Sequence, residues 1–327
     1  MRFFRVGLVA VSTLMVLASF GCAAKPNPEP TSTLLPVKIA TQPWLGYGAW
    51  LIAEDQGYFA DNGLDVTLAE YGSQAEIIEV LVSGEVDFLN ISSQGALSLL
   101  AADPAAKIVL LEDTSTSATA IITNGDIVSL KELQGKKVAY EEGTTCDLLL
   151  QYALSQAGMS IADIKKVPTP SAEAWAALIE EKVSAAVTHE PYITQANIDN
   201  DRLRVIYEAG ALTGLISDVL MVSDQFAEQQ PEVVRALIKS WGQAVDYFDA
   251  NRLEGLSIIA AGMGTTLEEV ALGFNGITFF GISENQNLLV GDFAEATLPA
   301  IQSAALNAGL LDKEVELSGI IDGQFVN

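Results

Sequence analysis

The chain has 327 residues, half of them hydrophobic, with 42 acidic side chains against 17 basic ones and a formal net charge of −25. A field of that sign, without the basic patches such partners need, argues against nucleic acid and anionic lipid surfaces. A single histidine, His189, and two cysteines, Cys22 and Cys146, argue against metal centres built from clustered His and Cys, and no cofactor is expected.

Residues 1–21 have the layout of a secretory signal: Arg2 and Arg5, an apolar run from Val6 to Phe20, then the small Gly21. The run is shorter than the ~20 residues needed to cross a bilayer. Cys22 directly after a small residue resembles a bacterial lipoprotein signal. That resemblance implies an acylated, palmitate-bearing Cys22 that anchors the chain to the cell membrane. Ser19 and Phe20 depart from the pattern, in which Leu is usual three residues before the cysteine. Ordinary secretion, with Cys22 discarded or left as a thiol, is the alternative. A Pro/Thr/Ser-rich tether over 22–36 suits a domain held off a membrane. By either route the protein works outside the cytoplasm, at the periplasm or the cell surface. The rest is long enough for one large α/β domain or two lobes.

Beyond the tether, strand-like and helix-like segments alternate. "VKIAT" (37–41) reads as a strand, "GAWLIAEDQGYF" as a helix stopped by Gly57, and "LDVTLAEY" (64–71) as a half-buried strand. Ser73 and Glu76 form a capping-box signature for a helix ended by Gly84, followed by strand "VDFLNI" (86–91) and a small-residue helix from Ser93. "KIVLL" (107–111) and "ATAIIT" (118–123) are further strands. A second set starts with strand 136–140, a helix from Thr145 to Gln156 and "IKKVPT" (164–169). A helix from Ser171, "SAAVTHE" (184–190), a helix from Pro191 and "LRVIYE" (203–208) complete it. "DVLMVS" (218–223) returns as a strand, and the remainder is mostly helical, with Pro231 at a helix start and a capping box at Thr266 and Glu269.

Short apolar strands alternating with helices of about a dozen residues predict βαβ units and mostly parallel sheets. The two sets join around Ile122–Asp126 and Leu212–Asp218, so lobe I spans 37–122 plus 218–327 and lobe II spans 123–217. Ligands in open α/β sheets sit outside the carboxyl ends of strands. The loops there are "QPWLGYGAW", "SSQGA", "EEGTTCD" and "THEPY"; each is polar or aromatic and opens a helix. Polar βα loops are common, but four together point to a cleft.

In these segments the chain resembles the extracytoplasmic solute-binding proteins of bacterial ABC importers, the branch with nitrate-, taurine-, alkanesulfonate- and thiamine-precursor-binding members. The resemblance covers roughly 37–310. It rests on "QPWLGYGAWLIAEDQGYFADNGLDV", "LVSGEVDFLNISSQGAL", "SLKELQGKKVAYEEGTTCDLLLQYALSQAG" and "VSAAVTHEPYITQA", the last with Ser184 where the family has Asp. It implies an α/β, periplasmic-binding-protein-like clamp of type II, each lobe a mostly parallel sheet flanked by helices. It further implies that the clamp closes on one small molecule and delivers it to ABC permease subunits. By motif position the ligand-binding candidates are Trp44, Tyr47, Ser92, Ser93, Gln94, Thr144, Thr145 and Glu190, with Asp113, Glu142 and Asp218 beside them.

None of the six arginines, at 2, 5, 202, 204, 235 and 252, lies in a candidate loop, whereas Glu141, Glu142, Glu190 and Asp113 lie in or near them. Anion binding would rest on helix-start amides and hydroxyls at Ser92–Gln94 and Thr144–Cys146. The acidic and aromatic groups better suit an amine-bearing, zwitterionic or heteroaromatic solute, and taurine would use both features. Equally, the carboxylates can be structural, Glu190 capping a helix. The rival class is an enzyme, since pyrimidine-forming enzymes share this wider family. Against it, the chain has no Gly–x–Ser–x–Gly elbow, no phosphate loop and no cysteine cluster, and Cys146 reads as a buried thiol rather than a nucleophile served by His189. No enzymatic activity is expected. A sensory module presenting its ligand to a receptor is the other alternative.

Overall fold

Short apolar runs separated by helix-opening loops form two sheets in the computed structural model of the protein, which describes residues 34–211 and 214–327. The secretory signal and the acylation of Cys22 expected from the sequence, and most of the expected tether, lie outside the described residues. Leu35 and Pro36, assigned to the tether from sequence, pair with Leu64 and Asp65 in the first strand. The strands are β1 (Leu35–Thr41), β2 (Leu64–Glu70), β3 (Phe88–Ser92), β4 (Ala106–Ser115), β5 (Thr119–Thr123) and β6 (Lys137–Tyr140). They continue with β7 (Lys165–Pro168), β8 (Ala185–His189), β9 (Arg204–Glu208), β10 (Ile216–Ser223) and β11 (Ile277–Phe279).

The first sheet has six strands in the order β11-β4-β10-β3-β1-β2, and the second has five in the order β7-β6-β8-β5-β9. Parallel pairing joins β1 to β2 and β3, and β6 to β7 and β8. These are the βα units that the alternation predicts. Each sheet is nonetheless mixed rather than mostly parallel, because β10 and β5 run antiparallel to both of their neighbours. These two strands are the ones that arrive from the other sheet. A chain leaving β4 at its carboxyl end enters the second sheet from the side where the parallel strands of that sheet also end. It must then run the opposite way. β5 thus belongs to the second sheet, and the chain crosses over 116–118 rather than 122–126; it returns between β9 and β10.

Both faces of the central strands are covered. Along β5, Ala120 and Ile122 pack into a cluster with Ala174, Leu178 and Ile193, while Ile121 between them packs into the main core. The helix Pro231–Ala250 opens with Pro at its first turn, as read from sequence, and buries Val234, Leu237, Ile238, Trp241, Val245 and Phe248. Trp241 meets Trp50 at 4.7 Å, and Phe248, Phe274 and Phe279 form a ring-to-ring cluster at 4.8–5.0 Å. The Thr266–Glu269 capping box is complete. At the other predicted box Ser73 accepts from the Glu76 amide, but the Glu76 carboxylate accepts from Gly72 instead of Ser73.

β11 covers β4 only from Asp113 to Ser115. Beyond that point the side chain of fully buried Asn285 takes the place of a strand. Its Oδ1 accepts from the Leu111 amide at 2.8 Å and its Nδ2 donates to the Leu111 carbonyl at 2.9 Å. Removing it strands two buried backbone groups, each worth ~1–3 kcal/mol when unsatisfied. Asn285→Ala is expected to lower unfolding free energy by about 2–4 kcal/mol in urea melts, whereas exposed Asn287→Ala changes it by less than ~0.5 kcal/mol.

Candidate ligand-binding site

The starts of β5 and β10 and the carboxyl ends of the parallel strands converge on one cavity of about 330 Å³. From the first sheet come Gln42, Trp44 and Tyr47 after β1, Glu70, Tyr71 and Gln74 after β2, Ser92 ending β3, and Ile216 and Asp218 opening β10. The second sheet contributes Thr119 opening β5, Glu141, Thr144 and Thr145 after β6, Ser171 after β7, and His189 and Tyr192 at and after β8. Neither sheet forms the cavity alone.

Its floor is acidic and held by aromatic donors. Asp113 and Asp218 face each other across the β4–β10 ladder. Tyr47 Oη donates to Asp218 Oδ1 at 2.8 Å, Trp44 Nε1 to Asp113 Oδ2 at 3.2 Å, and Trp50 Nε1 to Glu112 Oε1 at 2.8 Å. Gly46 permits this: a Cβ there would stand 2.1 Å from Asp113 Oδ2 and 2.2 Å from Trp44 Nε1. Among the described residues these three carboxylates share three neutral donors, and Asp113 Oδ1 and Glu112 Oε2 have no hydrogen-bond partner. Burial, reinforced by mutual repulsion, raises Glu112 and Asp113 well above the usual carboxylate range, and burial pushes Asp218 up to about 6. No group of three or more His, Cys, Asp or Glu side chains among the described residues is arranged to hold a metal ion.

The walls are aromatic. The Trp44 indole meets the His189 ring edge-on at 5.6 Å, and His189 meets Tyr192 at 5.2 Å, so one aromatic surface bridges the two sheets. His189 Nδ1 lies 2.9 Å from the Glu190 carbonyl oxygen, to which it donates, and burial lowers the imidazole pKa. The ring is therefore neutral at physiological pH.

Of the sequence candidates, Trp44, Tyr47, Ser92, Thr144, Thr145 and Asp218 line the cavity. The others do not. Asp113 lies beneath the Trp44 indole. Ser93 is fully buried with its Oγ 2.8 Å from Ser217 Oγ, and Gln94 turns back along its helix to Ser98. Glu142 is on the surface, paired with Lys166 at 2.7 Å, while its neighbour Glu141 faces the cavity, because successive residues at a strand end point opposite ways. Glu190 caps the helix Tyr192–Asp199 by accepting from the Thr194 amide at 2.9 Å. Among the lining residues absent from the candidates were Gln42, Glu70, Tyr71, Gln74, Thr119, Glu141, Ser171, His189, Tyr192 and Ile216. The loops "AEYGSQ" and "PTPSAE" after β2 and β7 are polar, carry Gly or Pro and open helices; the strand-end rule applied to every strand finds them.

Cys146 sits at the start of the helix Thr145–Gln156 but is fully buried, and desolvation pushes its thiol up to about 12. Its Sγ contacts Ser171 Oγ at 3.3 Å, not the imidazole. Iodoacetamide at neutral pH is expected to label Cys146 at least ~100-fold more slowly in the native protein than in urea. Asp218 has a raised folded-state pKa, so its contribution to stability is full below the unfolded value of 3.8 and lost as pH rises through about 6. Thermal melts of Asp218→Asn and wild type are expected to diverge in the variant's favour by about 3 kcal/mol between roughly pH 4 and pH 8.

Comparison with known proteins agrees with this architecture. The periplasmic aliphatic sulphonate binding protein of Escherichia coli superposes with a TM-score of 0.75 at 20% identity, over 86% of this chain and 90% of the other. The taurine-binding periplasmic protein of Escherichia coli K12 is 24% identical over 254 residues, 76% of this chain and 79% of that protein. A 4-amino-5-hydroxymethyl-2-methylpyrimidine phosphate synthase of Saccharomyces cerevisiae is 26% identical over 213 residues, 60% of this chain and 61% of that enzyme. The family model described as NMT1/THI5 like matches residues 46–252. That match takes in most of both sheets and nearly every cavity loop, and the chain accordingly belongs to the NMT1/THI5-like family.

Proposed function

We propose that this chain is an extracytoplasmic solute-binding protein that holds one small nitrogen- or sulfur-containing organic solute and delivers it to an ABC-type permease. One observation carries the reading: a single cavity lies between two sheets, is lined by loops from both, and holds side chains suited to gripping rather than transforming a guest. Its volume of about 330 Å³ lies in the range of small-molecule sites, ~300–1,000 Å³. Three of the wall hydroxyls serve the fold: Ser92 Oγ accepts from the Gly95 amide, Thr144 Oγ1 from the Cys146 amide, and Ser171 Oγ donates to Glu141. The buried thiol contacts the Ser171 hydroxyl, and burial holds it protonated. These features favour binding over catalysis although the family includes a synthase.

The ligand-contacting residues in this reading are Trp44, Tyr47, Ser92, Thr144, Thr145 and Asp218, joined by Glu141, His189 and Tyr192. Solute filling the cavity would bridge the lobes and draw them together about the 116–118 crossing and the return before β10. The taurine-binding relative supports a periplasmic location; the anchor in this reading is an acylated Cys22, which rests on the sequence signal alone.

A saturating solute at a hundred times its dissociation constant adds roughly 2.7 kcal/mol and raises the melting temperature. Small-angle scattering of the same sample is expected to show a smaller radius of gyration. Deleting the gene is expected to abolish uptake of that solute. Unchanged uptake would instead assign the clamp to sensing, and absence of both binding and compaction would refute the proposal.

A further inference from the structure

The cavity has the wrong electrostatics for an anion. No lysine or arginine lines it, while Glu70, Glu141 and Asp218 do. The neutral His189 adds no positive charge. One backbone amide at or just before each of three helix starts is already engaged by the chain's own oxygens. Gly95 N–H donates to Ser92 Oγ at 3.1 Å, Gly143 N–H to Asp147 Oδ2 at 3.0 Å, and Ser171 N–H to Glu141 Oε2 at 3.0 Å. Two of these three acceptors are carboxylates, whose charge opposes an anion beside them.

At the floor the imbalance has the opposite sense. Asp218 is 6% exposed, lines the cavity, and among the described residues receives its one hydrogen bond of ordinary geometry from Tyr47, on Oδ1. Asp113 and Glu112 stand behind it; among the described residues each has an oxygen with no partner, and no cation is paired with any of the three. Buried carboxylates are ordinarily paired or hydrogen-bonded throughout. Trp44 and Tyr47, which hold this floor, also line the cavity beside His189 and Tyr192, so aromatic rings border the space next to Asp218, an environment that suits a positive charge.

Resting on the solute-binding reading above, we infer that the cavity selects solutes bearing a cationic nitrogen, seated against Asp218 between Trp44 and Tyr47, and rejects anionic sulfonates. The guest supplies the positive charge that the floor lacks. This separates the chain from relatives named for sulphonate and taurine binding.

The test uses charge-varied isosteres on dialysed protein near pH 7.5: benzylamine, benzyl alcohol and benzenesulfonate, the corresponding butyl set, and taurine. Thermal shift and calorimetry are expected to show an amine binding at least tenfold more tightly than its alcohol, with no binding of its sulfonate. Asp218→Asn should erase the amine's advantage, and the surface variant Glu142→Gln should keep it. The wild-type comparison decides the matter even if the Asp218 variant fails to fold. A sulfonate or taurine binding as well as the amine, or an alcohol equalling it, overturns the cation assignment and leaves the solute-binding reading standing. Silence from every amine also overturns it. If native mass spectrometry of protein taken from its own cells then finds no carried solute, the solute-binding reading falls as well.

Discussion

Asp113 and Asp218 face each other across the β4–β10 ladder, buried, with the Trp44 indole and the Tyr47 hydroxyl as their donors. Two like charges at such a distance in a low-dielectric site oppose each other's ionisation. Their neighbourhood therefore sets the position of the loop after β1. If either aromatic donor withdrew, a carboxylate would be left buried without its hydrogen bond, so the loop is held down onto the sheet. The same two rings form part of the cavity wall. Stability of the floor and shape of the site are in this way one constraint.

The antiparallel insertion of β5 and β10 follows from the same geometry. Each enters its sheet from the cleft, so Thr119 and Asp218 near their starts lie where the parallel strands end. The crossing segment is packed closely: Thr116 donates from its amide to the Gly276 carbonyl at 2.8 Å, and a Cβ on Gly276 would stand 2.3 Å from Ser117 Oγ. A larger residue at 276 would push on the segment that joins the lobes. Glycine at 276 is what permits this close approach.

Much of the architecture was legible from residues alone because local signals agreed. Helix Thr145–Gln156 is capped by Thr144, whose Oγ1 accepts from the Cys146 amide, and ends before Gly158, which adopts φ 71°. Strand apolarity located ten of the eleven strands; the short β11, in the part read as mostly helical, escaped it. The carboxylates were harder. Glu141 and Glu142 are chemically alike and adjacent, yet one lines the cavity and caps Ser171 while the other pairs with Lys166 in solvent. Glu190 is a helix cap, and Asp113 lies under an indole. Composition places such groups near strand ends but carries no information about which way each points.

The sequence by itself determined the alternation of strands and helices, their caps, the acidic balance and the absence of arginine from the cavity loops, because these depend on residue type and short spacing. Tertiary structure alone decided which strand ends meet, how β5 and β10 run, and which carboxylates face the guest. Those outcomes depend on contacts between residues far apart in the chain, such as Tyr47 with Asp218. Such a contact forms only once the first sheet has brought β10 near the loop after β1.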